Sequence, residues 1–367
     1  MKPVVMTLGD VCTKGSSNLA QKDLDGNSGE YEIYGASGLI KKVNFFHQEK
    51  PYIAVVKDGA GVGRTMLLPA KTSVIGTMQY IIPNENIDIE YLYYAITYMD
   101  LSRYYMGAAI PHIYFKDYCK EKILVPDIDI QKAIAHKFRI IDGLITARQE
   151  QLAKLGELIA SRFIEMFGEI GTDKFGWGLF KIGDLCIINP KKSDDTRLSS
   201  ELDVSFVPMP AVSEHGDIDT SETRKYDEVK TGFTYFADDD VLFAKITPCM
   251  ENGKGCVARH LCNGIGFGST EFHVLRPTNK VNSVWVYAVT SFPKFREDAA
   301  NNMTGSAGQR RVPAVFLEHY KITLPPIELQ EQFAAFVEQT DKSKLAVQKS
   351  LEQLETLKKS LMQKYFG

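Results

Sequence analysis

Apolar residues recur every three or four positions in two long stretches of the chain, and polar residues fill the positions between them. The first stretch covers about residues 128 to 167, and the second begins at Pro325-Pro326 and continues to the last residue. This spacing puts the apolar side chains on one stripe of a helix, as in the seam of a coiled coil. The seam positions are Ile134, Phe138, Ile141, Ile145, Leu152, Leu155 and Ile159 in the first stretch, and Phe333, Val337, Val347, Leu351, Leu354 and Leu361 in the second.

The first of these stretches is a poor helix by itself. Gly143 and Gly156 each cost about 1 kcal/mol in a helix interior. Packing against a partner must therefore stabilise the helix, and each stretch is the best candidate partner for the other. The alternative is that one seam stays exposed for a different protein.

The two stretches are also copies of each other. Laid over residues 330–367 without a gap, residues 131–168 share 11 identical residues in 38. The repeat extends beyond the helices, because residues 241–245 (VLFAK) echo residues 53–57 (IAVVK). A repeat of this kind indicates a chain made of two similar halves.

Each half begins with a globular unit rich in short strand patterns. In the first unit, residues 52–56, 65–68 and 79–82 read as strands, and residues 90–105 read as a helix. We expect a unit over residues 1–125, a long helix over 126–168, a second unit over 169–324 and a second long helix over 325–367. The expected fold class is α+β, with mixed, twisted sheets in both units.

Composition places the chain among ordinary globular proteins without an overall basic signature. The net charge is −3, so any nucleic-acid binding must come from local patches or from a positively charged partner. There is no apolar run long enough for a membrane span or a signal peptide. The six cysteines form no C-x-x-C pair and fit a reducing cytoplasm.

The sequence contains no convincing catalytic or cofactor motif. Gly59, Gly61 and Gly63 are spaced G-x-G-x-G, which is not a dinucleotide fingerprint, and a tight turn fits them better. A cluster of possible zinc ligands has no common spacing, so strand and loop cysteines are the simpler interpretation; its members are Cys249, Cys256, His260 and Cys262. The pattern favours a binding scaffold over an enzyme.

Several segments together resemble one known family over essentially the full length of the chain. Residues 324–332 (LPPIELQEQ) look like the segment that opens the distal helix in that family, and residues 124–131 (LVPDIDIQ) are a looser copy. Residues 162–168 (RFIEMFG) resemble the end of the central helix, and residues 240–254 resemble a strand and loop of a recognition domain. The family is the specificity (S) subunit of type I restriction-modification systems.

The resemblance implies a non-catalytic role in DNA recognition. Each globular unit would be a target recognition domain that reads one half of a bipartite, asymmetric site on double-stranded DNA. The two helices would pack as an antiparallel coiled coil in a pseudo-two-fold repeat. Two methyltransferase (M) subunits, carrying S-adenosylmethionine, and restriction (R) subunits, using ATP, would dock on this chain, which itself would hold no cofactor and no metal.

Candidate DNA contacts come from loops that contain glycine, basic and amide residues. Lys and Arg side chains can neutralise phosphates or grip guanine, and Asn and Gln can grip adenine. The stretch 306–311 is the most concentrated, and Ile110-Pro111-His112 occupies the equivalent place in the first unit. The candidates are Lys57, Arg64, Thr77, Gln79, His112, Lys245, Thr247, Asn252, Lys254, Gln309, Arg310 and Arg311.

Two alternatives stay open from the sequence. The first is a stand-alone two-domain DNA-binding adaptor that dimerises through its coiled coil. The second is a fused nuclease or methyltransferase, which the absence of the corresponding motifs disfavours.

Overall fold

The structure, a computed structural model, describes residues 3–107, 111–306 and 308–367. Its contacts divide the chain into two compact units. Unit 1 comprises Met1–Glu150 and Val347–Gly367, and unit 2 comprises Gln151–Ala346. Each unit thus contains one globular part and a segment of both long helices.

The first part of the chain contains nine strands and four helices among its described residues, with 3-10 turns at Gln21–Leu24 and Leu101–Tyr104. The elements in chain order are β1 Val4–Thr7, α1 Leu8–Val11, β2 Cys12–Ser16, β3 Tyr31–Gly35, β4 Gly38–Val43, β5 Tyr52–Val56, β6 Thr65–Leu68, β7 Ser73–Val74, β8 Met78–Pro83, α2 Ile89–Met99, α3 Phe115–Tyr118, β9 Lys122–Val125 and α4 Ile128–Phe167.

Strand β5 is the centre of the core of unit 1. It lies inside the antiparallel sheet β2-β8-β5-β6, and each of its residues is buried. A run of apolar residues without alternation is typical of a strand covered on both faces. A second sheet, β4-β3-β7, and the antiparallel ribbon β1-β9 complete the unit. The strands predicted at residues 52–56, 65–68 and 79–82 are confirmed.

Helix α2 is shorter than the helix predicted over residues 90–105. Its N-cap is Asp88, whose carboxylate accepts a hydrogen bond from the Tyr91 amide at 3.0 Å. It ends at Asp100, where the backbone enters the left-handed region with φ of 48°. The tyrosine-rich segment that follows forms a 3-10 turn, because a left-handed residue interrupts the helical hydrogen bonding.

The second part of the chain contains ten strands and six helices among its described residues, with 3-10 turns at Lys192–Asp194, Met209–Ala211 and Cys262–Gly264. The elements in chain order are β10 Leu179–Lys181, α5 Ile182–Leu185, β11 Cys186–Ile188, β12 Asp203–Val207, β13 Thr223–Lys225, α6 Tyr226–Val229, β14 Thr234–Ala237, β15 Val241–Ala244, β16 Gly255–Val257, β17 Ile265–Gly268, β18 Phe272–Pro277, α7 Ser283–Ser291, α8 Pro293–Asn301, α9 Ala314–His319, β19 Lys321–Thr323 and α10 Ile327–Phe366.

Unit 2 repeats the central sheet of unit 1. Its sheet β11-β18-β15-β16 has the same strand order and directions as β2-β8-β5-β6, and the ribbon β10-β19 corresponds to β1-β9. The sequence echo between residues 53–57 and 241–245 therefore falls on equivalent central strands. The other sheet, β13-β12-β17-β14, contains one parallel pair, β12 with β17. The α+β fold class is confirmed.

In unit 1 the beginning of α4 packs antiparallel to the end of α10. The Phe138 ring lies 5.8 Å from the Phe366 ring and 4.8 Å from the Tyr94 ring of α2. Phe138 is fully buried among the residues of the first core. Lys358 of α10 pairs with Asp142 of α4 at 2.6 Å. The helix segments thus share one core with the globular part of the unit.

In unit 2 the end of α4 packs antiparallel to the beginning of α10. Phe333 is fully buried, and its ring lies 5.5 Å from both Phe163 and Phe167. Phe167 also contacts Trp285 of α7 edge to face, with 6.2 Å between centroids. The seam predicted from the sequence did not include Phe163 or Phe167. All of the predicted seam side chains are buried or half-buried.

A buried glutamine fixes the first turn of each long helix to its globular part. In unit 1 the Gln131 side chain accepts from the Asp88 amide at 2.8 Å and donates to the Pro126 carbonyl at 2.7 Å. In unit 2 the Gln330 side chain accepts from the Asn282 amide at 2.9 Å and donates to the Pro325 carbonyl at 2.8 Å. The bond from the N-cap amide therefore joins α4 to α2 in unit 1 and α10 to α7 in unit 2.

The compact units cut the chain differently from the four consecutive segments expected from the sequence. Both boundaries fall inside α4 and α10. The four-segment division stays a prediction about domains that would fold and be exchanged separately.

The packing of the second unit predicts that Phe333→Ala lowers the free energy of unfolding by about 3–5 kcal/mol, because a buried ring is lost and a cavity remains. Urea unfolding followed by tryptophan fluorescence measures this, since both tryptophans, Trp177 and Trp285, lie in unit 2.

The matched control is Leu345→Ala on the same helix, where the side chain is 59% exposed. Its effect should stay within about 0.5 kcal/mol. Equal destabilisation by the two variants would contradict the antiparallel seam in unit 2.

Candidate nucleic-acid interface

Three loop segments meet at one end of the central sheet in each unit. The first loop cluster and the second loop cluster are defined by equivalent positions around the ends of β5 and β15. The first comprises residues 57–64, residues 75–77, and a third loop described at residues 106–107 and 111–114. The second comprises residues 245–254, residues 269–271, and a third loop described at residues 304–306 and 308–312. Ile110 and Ala307, which belong to the segments singled out from the sequence, lie outside the described residues.

Backbone hydrogen bonds around Lys57 hold the first loop cluster together. The Lys57 amide donates to the Thr77 carbonyl at 3.0 Å, and the Ile113 amide donates to the Lys57 carbonyl at 2.9 Å. Met106 and His112 exchange two more amide–carbonyl bonds of 2.8 and 2.9 Å. These contacts bring three loops that are far apart in sequence to the end of β5.

The same set of bonds occurs around Lys245 in the second loop cluster. The Lys245 amide donates to the Glu271 carbonyl at 2.9 Å, and the Val312 amide donates to the Lys245 carbonyl at 2.9 Å. Thr304 and Arg311 exchange bonds of 3.0 and 2.8 Å, as Met106 and His112 do. We call this shared set of main-chain bonds the lysine frame.

Different side chains occupy equivalent positions on the two frames. In the first cluster the His112 ring hydrogen-bonds the Asp58 carboxylate and lies 4.1 Å from the Tyr114 ring. Arg64 is exposed and donates to the Ala36 carbonyl at 3.0 Å. Thr77 is exposed and Lys57 is half-buried. The cluster presents a mixed surface of one imidazole, one carboxylate and two cations.

In the second cluster two arginines are each joined to a carboxylate. Arg311 binds Glu271 through Nε at 2.9 Å and Nη2 at 2.7 Å, and Arg310 binds Glu251 at 3.1 Å. The Arg311 guanidinium holds the pKa of Glu271 below its ordinary value. Arg311 Nη1 also donates to the Gln309 carbonyl at 3.2 Å. A guanidinium carries five N–H groups, so these contacts leave one on each terminal nitrogen for a ligand.

The remaining candidates of the second cluster lie beside this pair. Thr247 Oγ1 accepts a hydrogen bond from the Arg310 amide at 3.2 Å. Lys254 Nζ donates to the Met209 carbonyl at 3.3 Å, and Asn252 and Gln309 are exposed. The structure thus brings the predicted residues 245–254 and 309–311 together at one place.

Gln79 is a correction to the predicted contacts. Its side chain is buried on β8 and donates to the Tyr118 hydroxyl, so it belongs to the core of unit 1. The structure places His273 at the equivalent pairing position of unit 2.

His273 supports the second cluster from below and was not among the residues predicted from the sequence. It is buried, with Nε2 donating to the Val312 carbonyl at 2.8 Å and Nδ1 accepting from the Asn189 side-chain amide at 3.1 Å. Burial lowers the pKa of His273 from its ordinary value of 6.5. The carboxylate of Glu271 was likewise not among the predicted residues.

The glycine-rich loop between β5 and β6 is a tight turn, as predicted. Gly59, Gly61 and Gly63 all have φ between 83° and 86°, a region that glycine adopts without strain. A Cβ on Gly63 would lie 2.4 Å from the Ser102 amide nitrogen. The glycines therefore allow this loop to approach the 3-10 turn after α2.

Within the described part of the chain, no group of three or more His, Cys, Asp or Glu side chains is arranged to hold a metal ion. The thiol of Cys256 is fully buried in an apolar cluster, where burial raises its pKa to about 12. None of the described helices is both long enough and apolar enough to cross a lipid bilayer.

Comparison with known protein families matches residues 2–156 and 175–356 to the family described as "Type I restriction modification DNA specificity domain". The chain belongs to this family. The match covers both globular units and most of both long helices, so the resemblance to type I specificity subunits found in the sequence is confirmed. The matched regions are DNA specificity domains, as predicted, and not methyltransferase or nuclease domains.

Two curated relatives are similar in sequence over part of the chain. The type I restriction enzyme EcoEI specificity subunit of Escherichia coli is 42% identical over 155 residues, which is 41% of this chain and 25% of that protein. The EcoAI specificity subunit of the same organism is 42% identical over 161 residues, or 43% of this chain and 26% of that protein. The aligned part of this chain thus spans about a quarter of each relative.

Two solved structures share the fold of this type I specificity family member. The S subunit of a type I restriction-modification system from M. genitalium superposes with a TM-score of 0.61 at 14% identity, covering 100% of this chain and 96% of that one. A chain from a study of complex assembly and conformational transition of the type I R-M system gives a TM-score of 0.54 at 16% identity, with coverage of 100% and 97%. At these identities the likeness concerns the fold alone.

The buried position of His273 predicts that unit 2 loses stability in mild acid. The unfolded chain takes up a proton below about pH 6.5 that the native imidazole resists, so the stabilisation is complete above that pH and is lost as pH falls through the lower native pKa. Urea unfolding followed by tryptophan fluorescence at about pH 7.5 and about pH 5.5 measures this loss.

His273→Gln provides the control, because glutamine already occupies the equivalent place in unit 1 and does not titrate. The variant should lose less stability than the wild-type chain over the same interval. Identical losses in the two proteins would rule out His273 as the group responsible.

Proposed function

We propose that this chain is the DNA sequence-specificity subunit of a type I restriction-modification complex, in which each unit reads one half of a bipartite, asymmetric site. The observation that carries the proposal is the lysine frame, which occurs twice in a chain that matches DNA specificity domains on both halves. Two similar frames suit two half-sites on a duplex.

The side chains on the frames support an asymmetric site. His112 occupies the place that Arg311 occupies in the other cluster, and each pairs with a carboxylate from a different loop, Asp58 for His112 and Glu271 for Arg311. An arginine whose terminal N–H groups remain available can grip the O6 and N7 atoms of guanine, whereas an imidazole beside a carboxylate offers a different set of donors and acceptors. Different side chains on the same main-chain frame should therefore select different bases.

The proposed DNA contacts are the predicted residues without Gln79. They divide into cations that can neutralise phosphates and polar groups that can reach base edges. The set comprises Lys57, Arg64, Thr77 and His112 in unit 1, and Lys245, Thr247, Asn252, Lys254, Gln309, Arg310 and Arg311 in unit 2.

The proposed partners supply the chemistry. Two methyltransferase subunits with S-adenosylmethionine would dock on the long helices, and restriction subunits using ATP would join them; this chain would catalyse neither reaction. Exposed apolar side chains on those helices would form part of the docking surface, where a partner could bury them. They include Ile128, Ile130, Ile140, Leu144, Leu158, Ile164, Leu345 and Leu357. The described cysteines are free thiols, which suits a complex that works in a reducing cytoplasm.

The test of the proposed function exchanges residues 1–125 for those of another family member in the assembled complex with its methyltransferase subunits. The methylated sites on a DNA library are then sequenced. The wild-type chain should give one bipartite sequence, and the exchange should replace one half of it while the other half stays.

A change in both halves, or no sequence preference from the wild-type complex, would overturn the proposal. A purified chain that binds one defined duplex with the same specificity in the absence of methyltransferase subunits would favour the stand-alone adaptor.

Arg311→Lys tests whether this side chain reads a base. Lysine keeps the charge but cannot form the planar two-point contact, so discrimination at one position of the second half-site should fall by about 1–3 kcal/mol. The salt dependence of binding should stay the same, because the number of cations is unchanged. Competition binding between matched and single-mismatch duplexes at several salt concentrations measures both quantities.

The control is Arg259→Lys, in an exposed arginine that pairs only weakly with Asp239 at 3.8 Å. It should leave both quantities unchanged. If Arg311→Lys keeps full base discrimination, Arg311 contacts phosphate or no DNA at all.

A further inference from the structure

Arg296 of α8 is a buried guanidinium that contacts backbone carbonyls. Its side chain is 93% buried, and no salt bridge joins it to a carboxylate among the residues that the structure describes. Nε donates to the Thr290 carbonyl at 2.6 Å. Nη1 donates to the Met250 carbonyl at 3.1 Å, and Nη2 donates to the Gly253 carbonyl at 3.2 Å. The Lys254 carbonyl lies within 3.4 Å of Nη1.

Three of these carbonyls belong to one loop of the second loop cluster. That loop joins β15 to β16 and carries the candidate DNA contacts Thr247, Asn252 and Lys254. Two of its side chains, Thr247 and Glu251, hydrogen-bond Arg310. Arg296 therefore lies beneath the loop and holds its last turn from the inside. The contact with Thr290 ties the same guanidinium to the end of α7.

The site is built around the guanidinium. The Phe243 ring of β15 lies 4.6 Å from the guanidinium carbon, a distance typical of a cation–π contact. A Cβ on Gly255 would lie 2.7 Å from the Leu242 carbonyl oxygen and 3.3 Å from Nη2, so only glycine fits there. Burial lowers the pKa of Arg296 to about 10, and the side chain keeps its charge at neutral pH.

The equivalent loop of unit 1 has a different construction. The loop between β5 and β6 closes on itself, with the Gly63 amide donating to the Val56 carbonyl at 2.8 Å and the Arg64 amide donating to the Gly61 carbonyl at 3.0 Å. Its glycines let it rest directly on Ser102, where unit 2 has an arginine beneath the loop. The guanidinium is thus a feature of the second cluster.

We propose that Arg296 is a positioning residue that fixes the shape of the β15–β16 loop, so that unit 2 recognises its own half-site. The inference rests on the proposed function, since it requires that the loop reads DNA. Arg296 itself is too deeply buried to touch a base or a phosphate. It acts by donating hydrogen bonds to loop carbonyls that would otherwise be buried without a partner, so the loop keeps one conformation.

The experiment uses the full chain in its methyltransferase complex and compares wild type, Arg296→Lys and Arg296→Met. Lysine keeps the charge, but its single ammonium group cannot contact carbonyls in all the directions that the planar guanidinium reaches. Methionine removes every donor. Methylated sites on a random DNA library are sequenced for each complex. Melting of unit 2 is followed in parallel by tryptophan fluorescence.

A stability control separates positioning from general weakening. Val229→Ala removes a buried side chain from the separate cluster around Val204 and Phe267, away from the loop. Its loss of stability serves as the reference for the two Arg296 variants at matched temperature below the melting transition. A purely structural role for Arg296 predicts the same methylation profile for all destabilised variants.

The expected result is a loss of about tenfold in base discrimination at the second half-site for Arg296→Lys, a larger loss for Arg296→Met, and an unchanged first half-site. Val229→Ala should keep both half-sites. A wild-type profile for Arg296→Lys, or equal losses at both half-sites, would overturn the inference. A wild-type complex without a bipartite preference would instead overturn the proposed function itself.

Discussion

The structure depends on the packing of two long helices that could not persist alone. Helix α4 contains Gly143 and Gly156, and nothing lies within 4 Å of a Cβ at either position. No contact within the described part of the chain requires a glycine at either position, and each glycine weakens the helix. The aromatic contacts around Phe138 and Phe333 compensate in their respective units. Because these rings also belong to the cores of the globular parts, helix and sheet stabilise each other within each unit.

The two globular parts combine a common scaffold with different surfaces. The buried amides of Gln131 and Gln330 make the same contacts in both units, and the lysine frame uses the same main-chain bonds. What differs is the side chains above the frame and the support below it, Arg296 in unit 2 and glycines in unit 1. The proposed specificity for DNA would then depend on the few side chains above and below the lysine frame. The rest of each unit is a scaffold that both units share.

The sequence predicted those features that depend on local periodicity or on repetition. The extent of α4, the strands around β5 and the family resemblance all follow from such patterns. The misses depend on contacts between distant segments. Gln79 is of a residue type that usually lies on the surface, but its side chain is buried and hydrogen-bonds Tyr118. Arg296 lies among charged residues in the sequence, a pattern typical of an exposed helix face. Its burial depends on carbonyls of a loop more than forty residues earlier, which the local pattern does not reveal.

The lysine frame has a consequence for how such a protein can evolve. Its bonds join amides to carbonyls, which every residue except proline supplies in full. A mutation at an exposed position of the frame therefore changes the side chain presented to a ligand, while the main-chain hydrogen bond that maintains the fold remains. New base preferences can therefore evolve there with little loss of folding stability, whereas the buried aromatic and glutamine positions of the long helices tolerate few replacements. Divergence between the two halves of one gene is the natural outcome of this unequal tolerance.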